Sequence, residues 1–306
     1  MARFALLAVL SLLSMSCATQ PQQRPAKPDM CAASRSLRHV SPLPATSEGM
    51  GAAVVMIGGG LIGNENWAEH SRHLRDTYLV IRLQNMAVHY GLQDKELPAD
   101  YSVRMESCAV RAALDQLGLR APVHLAGHSL GALIALDFAL HHPDRVRTLT
   151  LSEPPAAWLL DDRERQAPDV QAWERVITGL RKPRISETDL WSFLCAVGGC
   201  PAPSLSQARQ LPWWADRLRY RRSLRGVYAV VAHRDDPELL VRFDKPTLYI
   251  AGTGTAPVHR RFNAAFARAK PTARILTLPG GHSAIQVSLQ PTLKALEAHL
   301  ALRPTG

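Results

Sequence analysis

Gly127-His128-Ser129-Leu130-Gly131 sets a serine between two glycines at a spacing that suits nucleophilic chemistry. The apolar run Val123-His124-Leu125-Ala126 precedes it and Ala132-Leu133-Ile134-Ala135-Leu136 follows, so the pentapeptide reads as a sharp turn from strand into helix. Such a turn leaves no room for side chains two positions before and after the serine, which explains Gly127 and Gly131. The hydroxyl then projects from the sheet edge, and the backbone N–H of Leu130 at the helix start is predicted to face a developing oxyanion. A serine hydroxyl is a weak nucleophile alone and needs a base, which in turn needs a partner to orient it. The chain offers 12 histidines from which to choose that base.

The elements that must position these groups alternate. Ala52 to Ile57 is an apolar strand ending in three glycines and Thr77 to Leu83 another, with a helical stretch around Trp67 to Arg75 between them. Met105 to Leu117 has helical spacing, Pro122 to Ala126 reads as strand, Leu130 to His141 as helix and Arg147 to Ser152 as strand. A second such stretch follows: strand Thr247 to Ala251, helix Arg260 to Ala269, strand Arg274 to Leu278, helix Ala284 to Leu302. This rhythm predicts an α/β fold with a mainly parallel sheet and helices on both faces. Residues 155–242 are predicted to be a helical cap insertion over the carboxyl edge of the sheet, where ligands bind in such folds.

From about Gly51 to Leu302 the chain resembles the α/β-hydrolase family. The resemblance is most specific in Gly127 to Gly131, in His142-Pro143-Asp144-Arg145-Val146 and in Leu278-Pro279-Gly280-Gly281-His282-Ser283. It implies the α/β-hydrolase fold with an eight-stranded sheet, a Ser-His-acid triad, and an oxyanion hole completed by the loop after the strand ending at Ile57. That loop reads Gly58-Gly59-Gly60-Leu61, where family members commonly carry a histidine at the position of Gly58. The second oxyanion donor is assigned to the amide of Gly60, with Leu61 as close alternative. His282, between the last strand and the final helix, fits the general base. His128 is the decoy, since its place on the tight turn points it away from the hydroxyl.

The family most often carries its acid in the loop after the strand Thr247 to Ala251. Here that loop is Gly252-Thr253-Gly254-Thr255-Ala256-Pro257, and no Asp or Glu occurs from Lys245 to Leu296. The other family location is the end of the strand after the nucleophile's helix, where Glu153 follows Ser152. Glu153 is therefore expected to orient His282, the alternative being that it caps a loop. Asp235, Asp236 and Asp244 precede the later strand and lie toward its wrong end.

The expected activity is cleavage of a small, hydrophobic carboxylic ester by an acyl-enzyme route with no metal or organic cofactor. The alternative is a catalytically inactive scaffold that kept the fold and lost the acid loop. The aromatic pairs Trp191-Phe193 and Trp213-Trp214 lie in the cap, facing either a hydrophobic substrate or each other. Arg217, Arg219, Arg221, Arg222 and Arg225 are expected on a solvated face, with contact to anionic headgroups as a second reading.

The 306 residues are 46% hydrophobic and 20% charged, which excludes a disordered chain. The formal charge of +10 is spread along the sequence with no zinc-finger spacing, aromatic-studded basic motif or repeat, which argues against nucleic-acid binding. Met1 to Cys17 has Arg3, the apolar run Phe4 to Leu13 and a small polar end, the pattern of a signal peptide. Cys17 resembles the lipid-modified cysteine of bacterial lipoproteins, although Ser14 stands where that box usually has an aliphatic residue; cleavage near Ala18 is the alternative. The expectation is an exported protein, periplasmic or tethered to the membrane through Cys17. The organisation predicted is a leader over 1–17, a tether and N-terminal segment over 18–48, a core over 49–154 and 243–306, and the cap. Four further cysteines permit the pairs Cys195–Cys200 and Cys31–Cys108, or separate buried thiols.

Overall fold

The computed structural model describes Cys31 and residues 40–302; the leader, with Cys17, lies outside them. Seven strands form one sheet in the order β1-β3-β2-β4-β5-β6-β7: β1 Ala45–Glu48, β2 Ala53–Ile57, β3 Leu79–Leu83, β4 Val123–His128, β5 Val146–Ser152, β6 Thr247–Gly252 and β7 Arg274–Leu278. Only β1 runs antiparallel, beside β3. The parallel part follows from the long crossovers between strands, most of which carry a helix. β4 and β6 are buried along their whole length, as central strands covered on both faces must be.

The eight strands expected become seven among the described residues. A strand preceding β1 would use Ser41-Pro42-Leu43-Pro44, and two prolines at alternate positions remove two ladder donors. β1 itself lies within the stretch read as tether. Its sequence Ala-Thr-Ser-Glu carries no hydrophobic alternation and is largely exposed, so it is held by pairing with β3 and by Glu48, which accepts from Ser71 and Arg75.

The helices that bear on the site are α1 Ala68–Leu74, α2 Met86–Leu92, α3 Val103–Gln116, α4 Leu130–His141, α5 Pro168–Thr178, α6 Glu187–Gly198, α7 Pro257–Ala269 and α8 Leu289–Leu300. Helix α4 is buried from Leu130 to Leu140, the mark of a helix sealed on every side. The single helix expected over Ala284 to Leu302 is broken at Ser288, and Pro291 in the first turn of α8 explains why: it has no N–H to continue the preceding turn. Between β5 and β6, residues 155–242 are short helices and turns, and Phe193, Val197 and Trp213 from this stretch overhang the carboxyl ends of the strands.

Both cysteine pairs are disulfides. Cys31–Cys108 ties the N-terminal segment to α3, and Cys195–Cys200 closes the end of α6. Among the described residues no helix is long and apolar enough to cross a membrane.

Candidate active site

Ser129 sits at φ 54°, ψ −123°, where β4 turns into α4. A Cβ on Gly127 would lie 2.3 Å from the carbonyl oxygen of Gly131, and one on Gly131 would lie 2.3 Å from that of Ile57, so both glycines are required by contact with backbone. The Ser129 N–H donates to the carbonyl of Ser152 at 2.8 Å, which extends the pairing of β4 and β5 into the turn. The positive φ is backbone strain that the surrounding sheet enforces.

His282 spans the gap between the serine and the acid. Its Nε2 lies 2.8 Å from Ser129 Oγ and its Nδ1 2.8 Å from Glu153 Oε2. The three groups expected from the sequence are therefore brought together in one hydrogen-bonded line. Glu153 follows β5 at φ 45°, and its carboxylate is ringed by donors. Oε1 accepts from Gly252 N–H at 2.9 Å and Asn263 Nδ2 at 3.2 Å, while Oε2 accepts from the Thr255 hydroxyl at 2.8 Å. Burial opposes ionisation of Glu153, but the bond from His282, its charge, the nearby His259 and the Gly252 amide outweigh it and hold the carboxyl pKa down at about 2. The loop that lacks the usual acid thus supplies two of the donors that fix the carboxylate from the next strand. Glu153, His259 and His282 lie close enough together to bind a cation, yet the donors around Glu153 dress it as an anion already paired within the protein.

His128 does point away from the hydroxyl. Its Nε2–H donates to the backbone carbonyl of His282 at 2.9 Å, so it braces the loop that carries the imidazole. Burial and the adjacent His282 push its pKa down to about 3, so the ring stays neutral.

The glycine loop is held by residues whose types and spacing carry no sign of this role. Asn85 caps α2 by accepting from Val88 N–H and donates through Nδ2 to the carbonyls of Gly58 and Gly59, both at 3.0 Å. Glu106, buried on α3, accepts from the N–H groups of Met86 and Ala87 and from the Tyr101 hydroxyl, anchoring the same helix start. Asn66 Oδ1 takes the Gly59 N–H at 2.7 Å. With Gly59 spent in this way, Gly60 and Leu61 are the next loop residues lining the cavity at Ser129, where Leu130 opens α4 with an N–H that has no intrahelical acceptor. A Cβ on Gly58 would fall 1.6 Å from the Gly63 carbonyl oxygen, which is why no histidine stands there. Asn66→Ala releases the Gly59 amide and the loop's register with it. The expected result is a fall in kcat of roughly 10- to 100-fold with KM changed much less, read by steady-state kinetics.

A cavity of about 440 Å³ opens over Ser129 and His282, lined on the cap side by Phe193, Leu194, Val197, Trp213, Arg217 and the loop Gly198–Pro201. The aromatic pairs divide their work. Phe193 and Trp213 face the cavity, whereas Trp214 is buried, packs edge-on with Trp191 and donates its N–H to Glu187 at 2.8 Å. The arginines divide. Arg219 is exposed and, like Arg217, pairs with Asp216 on its own helix, as a solvated face would, and Arg221 donates to the Ile185 carbonyl at 3.1 Å within the cap. Arg222 pairs with Asp94 and the buried Arg225 with Glu96 at 2.7 Å, which clasps the cap to the core across a long stretch of sequence.

A parallel sheet with a serine on a strained strand-to-helix turn, bonded to a histidine from the last loop, defines the architecture of the α/β-hydrolases. The sequence profile described as alpha/beta hydrolase fold matches residues 52–195. The chain is 26% identical over 257 residues to the "putative carbamate hydrolase RutD" of Pseudomonas syringae pv. syringae, covering 83% of this chain and 95% of that protein. Among solved structures, an esterase from Exiguobacterium antarcticum superimposes with a TM-score of 0.68 at 19% identity, covering 85% of this chain and 96% of that one. A hydrolase from Pseudomonas aeruginosa gives 0.66 at 23% identity, covering 84% and 94%. The chain has the α/β-hydrolase fold, and residues 52–195 match that family's profile.

Proposed function

We propose that the protein is a serine hydrolase of small-molecule carboxylic esters that works through an acyl-enzyme. The single observation that carries this reading is the continuous hydrogen-bonded line Ser129–His282–Glu153 at 2.8 Å per link, facing a cavity under the cap. Ser129 Oγ attacks the acyl carbon while His282 Nε2 takes its proton. Glu153, already ionised and held by three other donors, stabilises the imidazolium that forms. The amides of Leu130 and Gly60 receive the oxyanion. His282 then returns the proton to the leaving alkoxide, and water repeats the sequence on the acyl-enzyme. None of these steps calls on a cofactor.

The apolar cap wall of Phe193, Leu194, Val197 and Trp213 supports a hydrophobic alcohol or acyl group. The esterase among the structural neighbours and the carbamate hydrolase among the relatives both fit an attack on an acyl carbon bearing a heteroatom leaving group. The inactive-scaffold reading leaned on the empty loop after β6, and the carboxylate of Glu153 in contact with His282 removes that support. Export and a lipid tether at Cys17 remain proposals from the sequence of residues 1–17.

The test is turnover of p-nitrophenyl acetate, butyrate and octanoate by the purified protein, with labelling by a fluorophosphonate probe. Turnover together with stoichiometric labelling is expected. Absence of both sinks the esterase reading.

A further inference from the structure

A narrow recess of about 20 Å³ leads off the main cavity at Ser129 and Gly60, running under the cap between Trp173, Ile177 and Val230 and reaching His259. His259 lies in the first turn of α7, is 1% exposed, and has no hydrogen-bond partner at either ring nitrogen among the described residues. A buried imidazole left unpaired is costly, and buried polar groups are almost always satisfied. His282 stacks on it at 4.1 Å between ring centres, Phe262 meets it edge-on, and the Glu153 carboxylate lies beyond hydrogen-bonding distance.

The state of the ring follows from its neighbours. Burial and the adjacent His282 push the His259 pKa far below its ordinary value, so the imidazole is neutral, with one N–H and one lone pair. Nδ1 lies 4.0 Å from Glu153 Oε2, and the attraction of that carboxylate favours the tautomer with its proton on Nδ1 and its lone pair on Nε2. An acceptor at a blind apolar end, next to the nucleophile, recognises a donor.

We propose that this recess is an acyl subsite for a short chain of two or three heavy atoms bearing a hydrogen-bond donor, a hydroxyl or an N–H, received by Nε2 of His259. The inference rests on the acyl-enzyme reading above and deepens it. It makes His259 a specificity residue: the donor end of the acyl group fills the recess, while the alcohol leaves through the wide cavity under Trp213.

Matched ester pairs test it: methyl butyrate against methyl 2-hydroxybutyrate and 3-hydroxybutyrate for the hydroxyl, and methyl N,N-dimethylcarbamate against methyl N-methylcarbamate for the N–H. Each kcat/KM is divided by the ester's own alkaline hydrolysis rate. The wild-type protein is expected to favour a donor-bearing member of one pair by about tenfold. His259→Phe is expected to bring that ratio to about one, and His259→Gln, which restores an acceptor oxygen, to recover part of it. Flat ratios in an active, probe-labelled wild type overturn the subsite alone, and this comparison needs no variant to fold. Equal losses on both members of a pair in His259→Phe overturn it too, since His259 would then act only through His282. A protein that turns over no ester and takes no probe overturns the acyl-enzyme reading and the subsite with it.

Discussion

Ser129→Ala is expected to lower kcat/KM for p-nitrophenyl esters by about 10⁴- to 10⁶-fold and to abolish fluorophosphonate labelling. The hydroxyl makes one side-chain hydrogen bond, to His282, and the strained turn is set by backbone pairing to Ser152 and by the crowding around Gly127 and Gly131. Alanine at φ 54° is no more strained than serine, so the variant is expected to melt within a few degrees of the parent. A large loss of activity without loss of fold is the signature of a nucleophile. A variant that keeps more than about a tenth of the parent's activity places the chemistry elsewhere.

Glu153→Gln is the second large effect, and it separates positioning from proton transfer. Every group around the carboxylate is a donor: the Gly252 amide, the Thr255 hydroxyl, Asn263 Nδ2 and His282 Nδ1. A glutamine amide placed there meets donors with its own N–H groups, leaves at least one of them unsatisfied and gives the imidazolium no counter-charge. A fall in kcat of roughly 10²- to 10⁴-fold is expected, with probe labelling slowed but not abolished, because Ser129 is still present. The same residue sets an acid limit on stability. Its folded pKa of about 2 is below its ordinary 4.5, so its contribution is complete above pH 4.5 and is lost as pH falls through about 2. The difference amounts to on the order of 3 kcal/mol. Thermal melts between pH 7 and pH 2 are expected to fall more steeply for the parent than for Glu153→Gln; parallel curves would mean that the native carboxylate is not held ionised.

The serine and its base were legible because the glycine spacing and the final-loop histidine are local signals, each readable within half a dozen residues. Glu153 came from the family resemblance, which offers a second place for the acid when the loop after β6 lacks one. What stabilises that carboxylate was not legible: Thr255 and Asn263 are 102 and 110 residues from it in sequence, and neither the loop nor the helix that carries them signals a partner so far away. The same holds for Asn66, Asn85 and Glu106, ordinary polar residues whose roles exist only once α2, α3 and the glycine loop are packed together. β1 escaped because an exposed edge strand of Ala-Thr-Ser-Glu has no buried face to write into its sequence. His259 carries no local signal among the 12 histidines, and only the packing of α7 beneath the cap takes it out of water.

The ends of β5 and β6 are neighbours in the sheet, and they meet at one carboxylate: the end of β5 carries Glu153, which holds Nδ1 of His282, and the end of β6 and its loop donate to that carboxylate. The acid of this fold is thus not owned by one strand. A descendant that acquired a carboxylate in the Gly252–Pro257 loop while still carrying Glu153 would hold two candidates for one post, and either could then be lost without the imidazole ever standing unaccompanied. Adjacent strand ends make the position of the acid heritable as a place in space, while its place along the chain is free to drift.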